Sequence, residues 1–171
     1  MAHVKVVRRS MRPEEWTDLR FVWLQRGIYE EKFEITDLEI RDARQISEDQ
    51  YEYYSDEYRP LKKDDMYFTP DGTAFIRGHV QIPAHMKGKN IYFTLHTAAE
   101  MIVKINGKYV GGVDPNRERI LLNPYIDSDD LTIEIEAYNR SKPDDERNPA
   151  SLAHRGCRQI FEGAYLSTIR D

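Results

Sequence analysis

From residue 73 onward, apolar residues recur at every second position, and this alternation restricts the chain to extended strands with one buried face. Turn residues separate the alternating segments, as is typical of all-β domains. The positions predicted to face the core are Ala74, Ile76, Gly78, Val80 and Ile82, then Ile91, Phe93 and Leu95, then Met101, Val103 and Ile105, and last Leu131, Ile133, Ile135 and Ala137. On the first of these strands, His79 should therefore face away from the core.

Short turn sequences indicate where these strands reverse. An Asn-Gly pair at 106–107 predicts a tight hairpin, because both residues tolerate the positive φ angles that such a turn needs. A Gly-Gly pair at 111–112 favours a sharp departure into a polar loop at 114–118. The charged, proline-containing segment 141–149 indicates an exposed loop, and 164–169 is predicted to be a closing strand. The sequence therefore predicts a mainly β fold, an antiparallel sandwich of about five or six strands or more.

Residues 13–27 carry the punctuation of a helix, because Pro13 suits its first turn and Gly27 suits the position just past its end. Three large apolar side chains recur within it at helical spacing and so share one face: Trp16, Leu19 and Trp23. We expect this face to pack against the rest of the domain.

Residues 47–50 read Ser-Glu-Asp-Gln and resemble a capping box, so a short helix is expected from there until Pro60 stops it. Residues 33–46 mix periods and predict no particular element. We therefore expect residues 1-60 to form a helical or irregular preface packed on a β-sandwich of residues 61-171. A chain of 171 residues has the size of one structural unit.

Charge and composition argue against several classes of partner. The chain has 30 acidic and 25 basic residues and a net charge of −5, which opposes binding to a phosphate backbone, so no nucleic acid is expected. No apolar stretch approaches the ~20 residues that cross a bilayer, so no membrane partner is expected. The single Cys157 cannot form an internal disulfide and gives no sign of an oxidising compartment. These features favour a cytoplasmic location.

No set of residues has the spacing of a catalytic or metal-binding motif. The histidines are scattered, without a zinc-binding pattern, at His3, His79, His85, His96 and His154. The acidic run at 127–130 lacks the glycine and distal glutamate of a calcium loop, and no phosphate-binding glycine loop occurs. Ser151, His154 and Cys157 have helical spacing but no recognisable orienting or oxyanion group. The sequence thus predicts no catalytic residues, metal or cofactor in this chain.

Five segments resemble a known domain in their order and sequence. They are Phe-Ile-Arg-Gly-His-Val-Gln-Ile-Pro at 75–83, Gly-Lys at 88–89, the strand at 95–100, Val-Lys-Ile-Asn-Gly-Lys at 103–108 and Gly-Gly-Val-Asp at 111–114. This order is similar to the galactose-binding-like (jelly-roll) β-sandwich that precedes the catalytic domain in glycoside hydrolase family 38 alpha-mannosidases. The chain departs from that family at Ala98 and Ala99, where glycines are common, and at Arg117, where a histidine is common.

The resemblance implies a galactose-binding-like sandwich with a short helical preface, serving as the non-catalytic N-terminal ancillary domain of a larger glycosidase. The parent would hydrolyse alpha-linked mannose with zinc and a carboxylate nucleophile in a downstream catalytic domain. That domain and mannose-containing glycans would be the partners of this chain. Five polar residues are expected near the substrate or the domain junction: Glu100, Asp114, Asn116, Arg117 and Glu118. Turn chemistry and surface ion pairs are the competing explanation for each of them.

Two other functions stay open at this point. A stand-alone carbohydrate-binding module would offer exposed aromatic faces to a sugar, and the candidates are Tyr51, Tyr53, Tyr54, Tyr109 and Tyr125. A protein-interaction sandwich without a sugar partner would instead use the face that carries Trp16 and Trp23. Whether the whole protein is an enzyme is left undecided by this sequence.

Overall fold

Antiparallel strands account for most of the structure, a computed structural model that describes residues 28–65, 72–96, 99–114, 117–138 and 161–169. In chain order the strands are β1 (Tyr29–Ile35), β2 (Leu38–Ser47), β3 (Gln50–Tyr53), β4 (Arg59–Pro60), β5 (Thr73–Gln81), β6 (Ile91–Leu95), β7 (Glu100–Ile105), β8 (Lys108–Val113), β9 (Arg119–Leu121), β10 (Asp130–Tyr138) and β11 (Ala164–Ile169). Two single-turn 3₁₀ helices, Ala84–Met86 and Asn123–Tyr125, lie between strands. No helix among these residues is long and apolar enough to cross a membrane.

The strands form two sheets that share one core. The small sheet has the order β1-β11-β6-β9, and the large sheet has the order β3-β2-β5-β10-β7-β8 with the short β4 paired to β2. Neighbouring strands pair antiparallel throughout the described residues. The predicted antiparallel β-sandwich is confirmed, and residues 164–169 form the predicted closing strand at the centre of the small sheet.

The apolar half of the alternation fills the core, as predicted. From the large sheet, Ile76, Val103 and Ile135 are at most 2% exposed, and from the small sheet Phe93 and Leu166 are fully buried. Burying such side chains against the opposite sheet contributes roughly 1.5–3 kcal/mol each relative to exposure. The alternation also places His79 correctly, because it is exposed on the other face of β5 and pairs with Asp130.

The turn at 106–107 is the predicted tight hairpin between β7 and β8. Asn106 and Gly107 both have positive φ angles, 50° and 73°, as a two-residue hairpin turn requires. The Asn106 carboxamide also accepts a hydrogen bond from the backbone N–H of Thr132 at 2.9 Å, which ties the hairpin to β10. The glycines at 111–112 differ from expectation, because both lie inside β8. Gly111, with φ of 152°, lies at a bulge opposite β7.

The expectation for the N-terminal part is wrong where the structure describes it. The segment at 47–50 makes a turn with Asp49 at a positive φ of 58°, and Gln50–Tyr53 continues as β3 rather than as a helix. Residues 29–60 supply β1 to β4, which pair with strands of both sheets instead of forming a helical or irregular preface. A turn residue able to adopt positive φ favours the hairpin over the capping box. The predicted helix at 13–27 and the loop at 141–149 lie outside the described residues.

Candidate functional site

The polar half of the alternation forms the outer face of the large sheet, the side turned away from the core. One set of side chains lies in register across five neighbouring strands, and we name it the charged row: Glu39, Arg77, Glu134, Lys104 and Tyr109. Arg77 Nη2 lies 2.7 Å from Glu39 Oε2, and Lys104 Nζ lies 4.6 Å from the ring centroid of Tyr109. Because charges of opposite sign are neighbours along the row, the row is locally neutral and moderately stabilising.

A second row of outward side chains lies next to the charged row and is more apolar. It is two residues away along β2, β5, β10 and β7, and three residues away along β8, where the pairing has a bulge. We name it the central row, and its members are Arg41, Phe75, Glu136, Ile102 and Gly112. Ile102 is 51% exposed in spite of being aliphatic. Gly112 has no side chain to cover Ile102, so the apolar surface of Ile102 stays accessible between β7 and β8.

Tyr51 of β3 anchors one end of the central row. Its hydroxyl donates a hydrogen bond of 2.5 Å to Glu136 Oε1, and its ring meets the ring of Phe75 edge-on at 4.9 Å. The hydrogen bond to the carboxylate, aided by partial burial, raises the pKa of Tyr51 to about 12. Tyr51 therefore remains a proton donor at neutral pH, and it holds one oxygen of Glu136 in place.

Two arginine guanidinium groups contact the rings of Tyr53 and Tyr58 on the same face. The Arg41 guanidinium carbon lies 3.6 Å from the ring centroid of Tyr53 and 4.8 Å from that of Tyr58. The Arg77 guanidinium carbon lies 4.0 Å from the centroid of the Tyr58 ring as well. Guanidinium groups are attracted to the faces of aromatic rings, so these two contacts help to hold Tyr58 in position.

A groove with a volume of about 310 Å³ follows the charged row. It is lined by Tyr58, Lys104 and Tyr109, and also by Ile102 and Glu136 of the central row. Tyr109 is 68% exposed. We name this depression the tyrosine groove, because it offers ring faces together with charged hydrogen-bonding groups.

A second groove, of about 440 Å³, lies at the opposite side of the central row. It is lined by Glu100, Arg117 and Tyr138, and it also contains Ile102 and Glu136. Since both depressions include these two central residues, they adjoin each other on the outer face. We name this second depression the loop groove.

Three of the five residues singled out from the sequence meet in the loop groove. Glu100, Asp114 and Arg117 line it together. Arg117 Nε donates to Asp114 Oδ2 at 3.0 Å, and the backbone N–H of Arg117 donates to the other carboxylate oxygen, also at 3.0 Å. These bonds close the turn, so the turn-chemistry explanation holds for this pair even though the pair borders the groove. Asn116 lies outside the described residues.

Glu118 is not part of this group. Its carboxylate lies 3.1 Å from His96 Nδ1, and its backbone oxygen accepts a hydrogen bond from Leu95 of the small sheet at 3.0 Å. The loop at 114–118 therefore divides its polar residues between the two sheets. Sequence spacing alone could not separate them, because the chain crosses from β8 in the large sheet to β9 in the small sheet between Asp114 and Arg119.

The five candidate tyrosines also separate. Tyr109 lines the tyrosine groove, and Tyr51 and Tyr53 support the adjoining Phe75. Tyr54 is 54% exposed but lines neither groove, and Tyr125 packs against the core. The sequence reading missed other members of the face: Arg77, Ile102, Lys104, Glu134 and Glu136. Their signal was present, since they are the out-facing residues of strands whose in-facing residues were identified correctly.

A third depression, of about 640 Å³, lies near the turn between β1 and β2 and the end of β5. Phe33 is its one aromatic residue, and the basic groups that line it, Lys87 and His79, are paired with Asp129 and Asp130. It therefore has one aromatic ring, where the tyrosine groove is lined by three, Tyr58, Phe75 and Tyr109. The described residues contain no group of three or more His, Cys, Asp or Glu side chains placed to hold a metal ion, so zinc chemistry has no site among them.

Comparisons with known proteins give structural likeness at low identity. A calcium-binding mutant of beta-glucuronidase 2 from Bacteroides uniformis is 19% identical, with a TM-score of 0.47, and the match covers 80% of this chain and 18% of that one. A beta-D-glucuronidase from Dictyoglomus thermophilum is 17% identical, with a TM-score of 0.44 and coverage of 81% and 28%. The chain thus spans less than a third of either structure, and neither is an alpha-mannosidase. No family model and no curated protein matches the chain.

Proposed function

We propose that this chain is a non-catalytic ancillary domain of a glycoside hydrolase, and that it binds glycan on the outer face of its large sheet. The observation that carries the proposal is the pair of adjoining grooves lined by exposed rings and paired charges. The sequence resemblance adds the identity of the parent, an alpha-mannosidase whose zinc and catalytic aspartate lie in a downstream domain. In that enzyme, this domain would shape or extend the substrate site.

The composition of the face suits a sugar better than it suits protein packing. A sugar ring presents apolar C–H faces and a rim of hydroxyl groups, and binding sites for it combine aromatic surfaces with a few fixed polar groups. Here Tyr109 and Ile102 are 68% and 51% exposed, so they offer apolar surface, while Glu136 and Lys104 lie beside them as acceptor and donor. The stacked arginines and Tyr51 hold their neighbours in place, which reduces the entropy lost when a ligand binds.

Titration of the protein with sugars tests the glycan-binding part of the proposal. We expect mannose and mannobiose at millimolar concentration to shift backbone amide NMR signals of β7, β8 and β10. Tyr109→Ala should weaken binding at least about tenfold, because a stacking face is lost. Tyr54→Ala is the matched control, since it removes an exposed tyrosine that lines neither groove. Shifts that spread to unrelated loops, or equal effects of both variants, contradict the proposed site.

Turnover by the full-length parent enzyme tests the ancillary role separately. Asp114→Ala opens the turn that borders the loop groove, and we expect it to raise KM for an oligomannoside while leaving kcat within about twofold, because no reacting group is touched. Lys87→Ala, which removes an ion pair outside both grooves, should change neither constant. If Asp114→Ala behaves like Lys87→Ala, the loop groove has no role in the substrate site. If the chain binds a protein partner but sugars have no effect on it, a protein-interaction domain would be favoured instead.

A further inference from the structure

We infer that the outer face takes an extended, neutral oligosaccharide that lies along β7 and β10 and fills both grooves, rather than a single sugar residue. This inference rests on the proposed glycan-binding function and specifies the class of glycan. It is carried by three observations: the combined length of the two adjoining grooves, the space that a glycine leaves beside Ile102, and the pairing of charges along the borders of the grooves.

The two grooves together are longer than one pyranose ring. Glu100, Ile102 and Lys104 point outward from β7 in succession, and Glu100 lines the loop groove while Lys104 lines the tyrosine groove. Outward side chains on one strand recur about every 6.8 Å, so this run spans about 14 Å. Ile102, which belongs to both grooves, lies midway. A ligand in contact with both ends must therefore have more than one sugar unit.

Space is left beside Ile102 because β8 has a glycine next to it, in the loop groove. Gly112 lies opposite Ile102 on the outer face, and a Cβ at this position would lie 3.4 Å from the carbonyl oxygen of Met101. Its backbone φ lies outside the left-handed region, so the position does not need glycine for conformational reasons. What the glycine provides is space beside Ile102, where a chain of sugars would cross from one groove to the other.

Charge pairing along the face favours a neutral ligand. Arg77 is paired with Glu39, and Arg117 is paired with Asp114. Glu134 lies between Arg77 and Lys104 in the charged row, so neither sign dominates. An anionic glycan would need several cations without a neighbouring carboxylate, and it would meet Glu100 and Glu136 in the loop groove.

Chain length and charge of the ligand test the inference. Affinities would be measured by calorimetry or NMR for mono-, di- and tetrasaccharides of mannose, glucose and galactose, with tetragalacturonate as the anionic probe. We expect the tetrasaccharide of at least one series to bind at least about tenfold more tightly than its monosaccharide, because two linked units engage two grooves at once. Tetragalacturonate should bind more weakly than that neutral tetrasaccharide.

A side chain introduced beside Ile102, where the two grooves adjoin, tests the path of the ligand. Gly112→Leu should reduce the affinity for the tetrasaccharide to within about twofold of the monosaccharide, since the new side chain would fill the space beside Ile102 that a ligand spanning both grooves has to cross. Lys108→Leu on the same strand lines neither groove and should leave the dependence on chain length unchanged. Urea unfolding of both variants verifies that they fold.

The outcomes separate the two proposals. Binding that is independent of chain length, or a Gly112→Leu variant that keeps the dependence, overturns the extended-chain inference and leaves the glycan-binding function standing. Tighter binding of tetragalacturonate overturns the neutral-ligand part. If no sugar of any length binds, the proposed function fails and the inference fails with it.

Discussion

The two faces of the large sheet are built by the same strands and behave as different surfaces. On the inner face Ile76, Ile135 and Val103 are at most 2% exposed and pack toward the small sheet. On the outer face their neighbours Arg77 and Glu134 are exposed and arranged by sign. The inner face specifies the fold, because a substitution that changes the volume of a side chain there leaves a cavity or causes a clash. Side chains on the outer face do not have to fit a close-packed core, so their size and charge can be suited to binding.

The largest expected effect comes from removing core volume on the inner face. Ile133 is 1% exposed, and Ile133→Ala should lower the free energy of unfolding by about 2–5 kcal/mol, through lost burial and the cavity left behind. Glu134→Ala, one residue away on the outer face, should change it by less than about 0.5 kcal/mol. Denaturant unfolding of both variants checks the difference. Similar losses would mean that the outer face is also part of the stability core.

A second test compares a glycine from each face. At Gly78 a Cβ would come within 2.5 Å of the Asp37 carbonyl oxygen and would also clash with Leu38, so Gly78→Ala should destabilise by about 1–3 kcal/mol. At Gly112 the nearest atom to a Cβ is the Met101 carbonyl oxygen at 3.4 Å, and Gly112→Ala should change stability by less than about 0.5 kcal/mol. Thermal or denaturant unfolding measures both. A large loss of stability in Gly112→Ala would show that the space beside Ile102 is required for folding rather than available to a ligand.

Tyr51 is a residue of the outer face that does contribute to folding, and its contribution should depend on pH. Tyr51→Phe should cost about 1 kcal/mol at neutral pH, because the hydrogen bond to Glu136 is lost. The folded protein holds the Tyr51 proton with a pKa of about 12, above the unfolded value of about 10. This contribution is therefore complete below about pH 10 and is lost as pH rises through 12.

The stability difference between wild type and Tyr51→Phe should accordingly narrow over that range. Denaturant unfolding at a series of pH values measures it, and Tyr54→Phe serves as the control. A difference that stays constant through pH 12 would show that Tyr51 and Glu136 do not share a proton-dependent bond.

The core could be predicted from the sequence because burial leaves a local signal. Alternation located the inner faces of β5, β6, β7 and β10, and the Asn-Gly pair located the hairpin after β7. β1 to β4 were missed, since most of their residues are at least partly exposed and the apolar period is weak there. Ser47 and Gln50 at capping-box spacing fit a turn equally well, and the pairing of β3 with β2 decides between the two structures.

The candidate site was predicted only in part, because it depends on register between strands that are distant in sequence. Glu100, Asp114 and Arg117 were identified and do share a groove, whereas Glu118 faces the small sheet. The charged row joins β2, β5, β10, β7 and β8, and no local pattern gives their order. The identity of each outward residue was readable, but its neighbours across the sheet were not.

The smallest expected effect is the coupling between Arg77 and Glu39, the ion pair at the end of the charged row. Both side chains are well exposed, so a double-mutant cycle with Arg77→Ala and Glu39→Ala should give a coupling of about 0.2–1 kcal/mol. Raising the ionic strength to about 1 M should reduce it, because screening then acts over about 3 Å. A coupling free energy above about 2 kcal/mol, or one that salt leaves unchanged, would show that the charged row behaves like a buried network of ion pairs. The outer face would then share the structural role of the inner face, and its charges would be explained by folding rather than by a ligand.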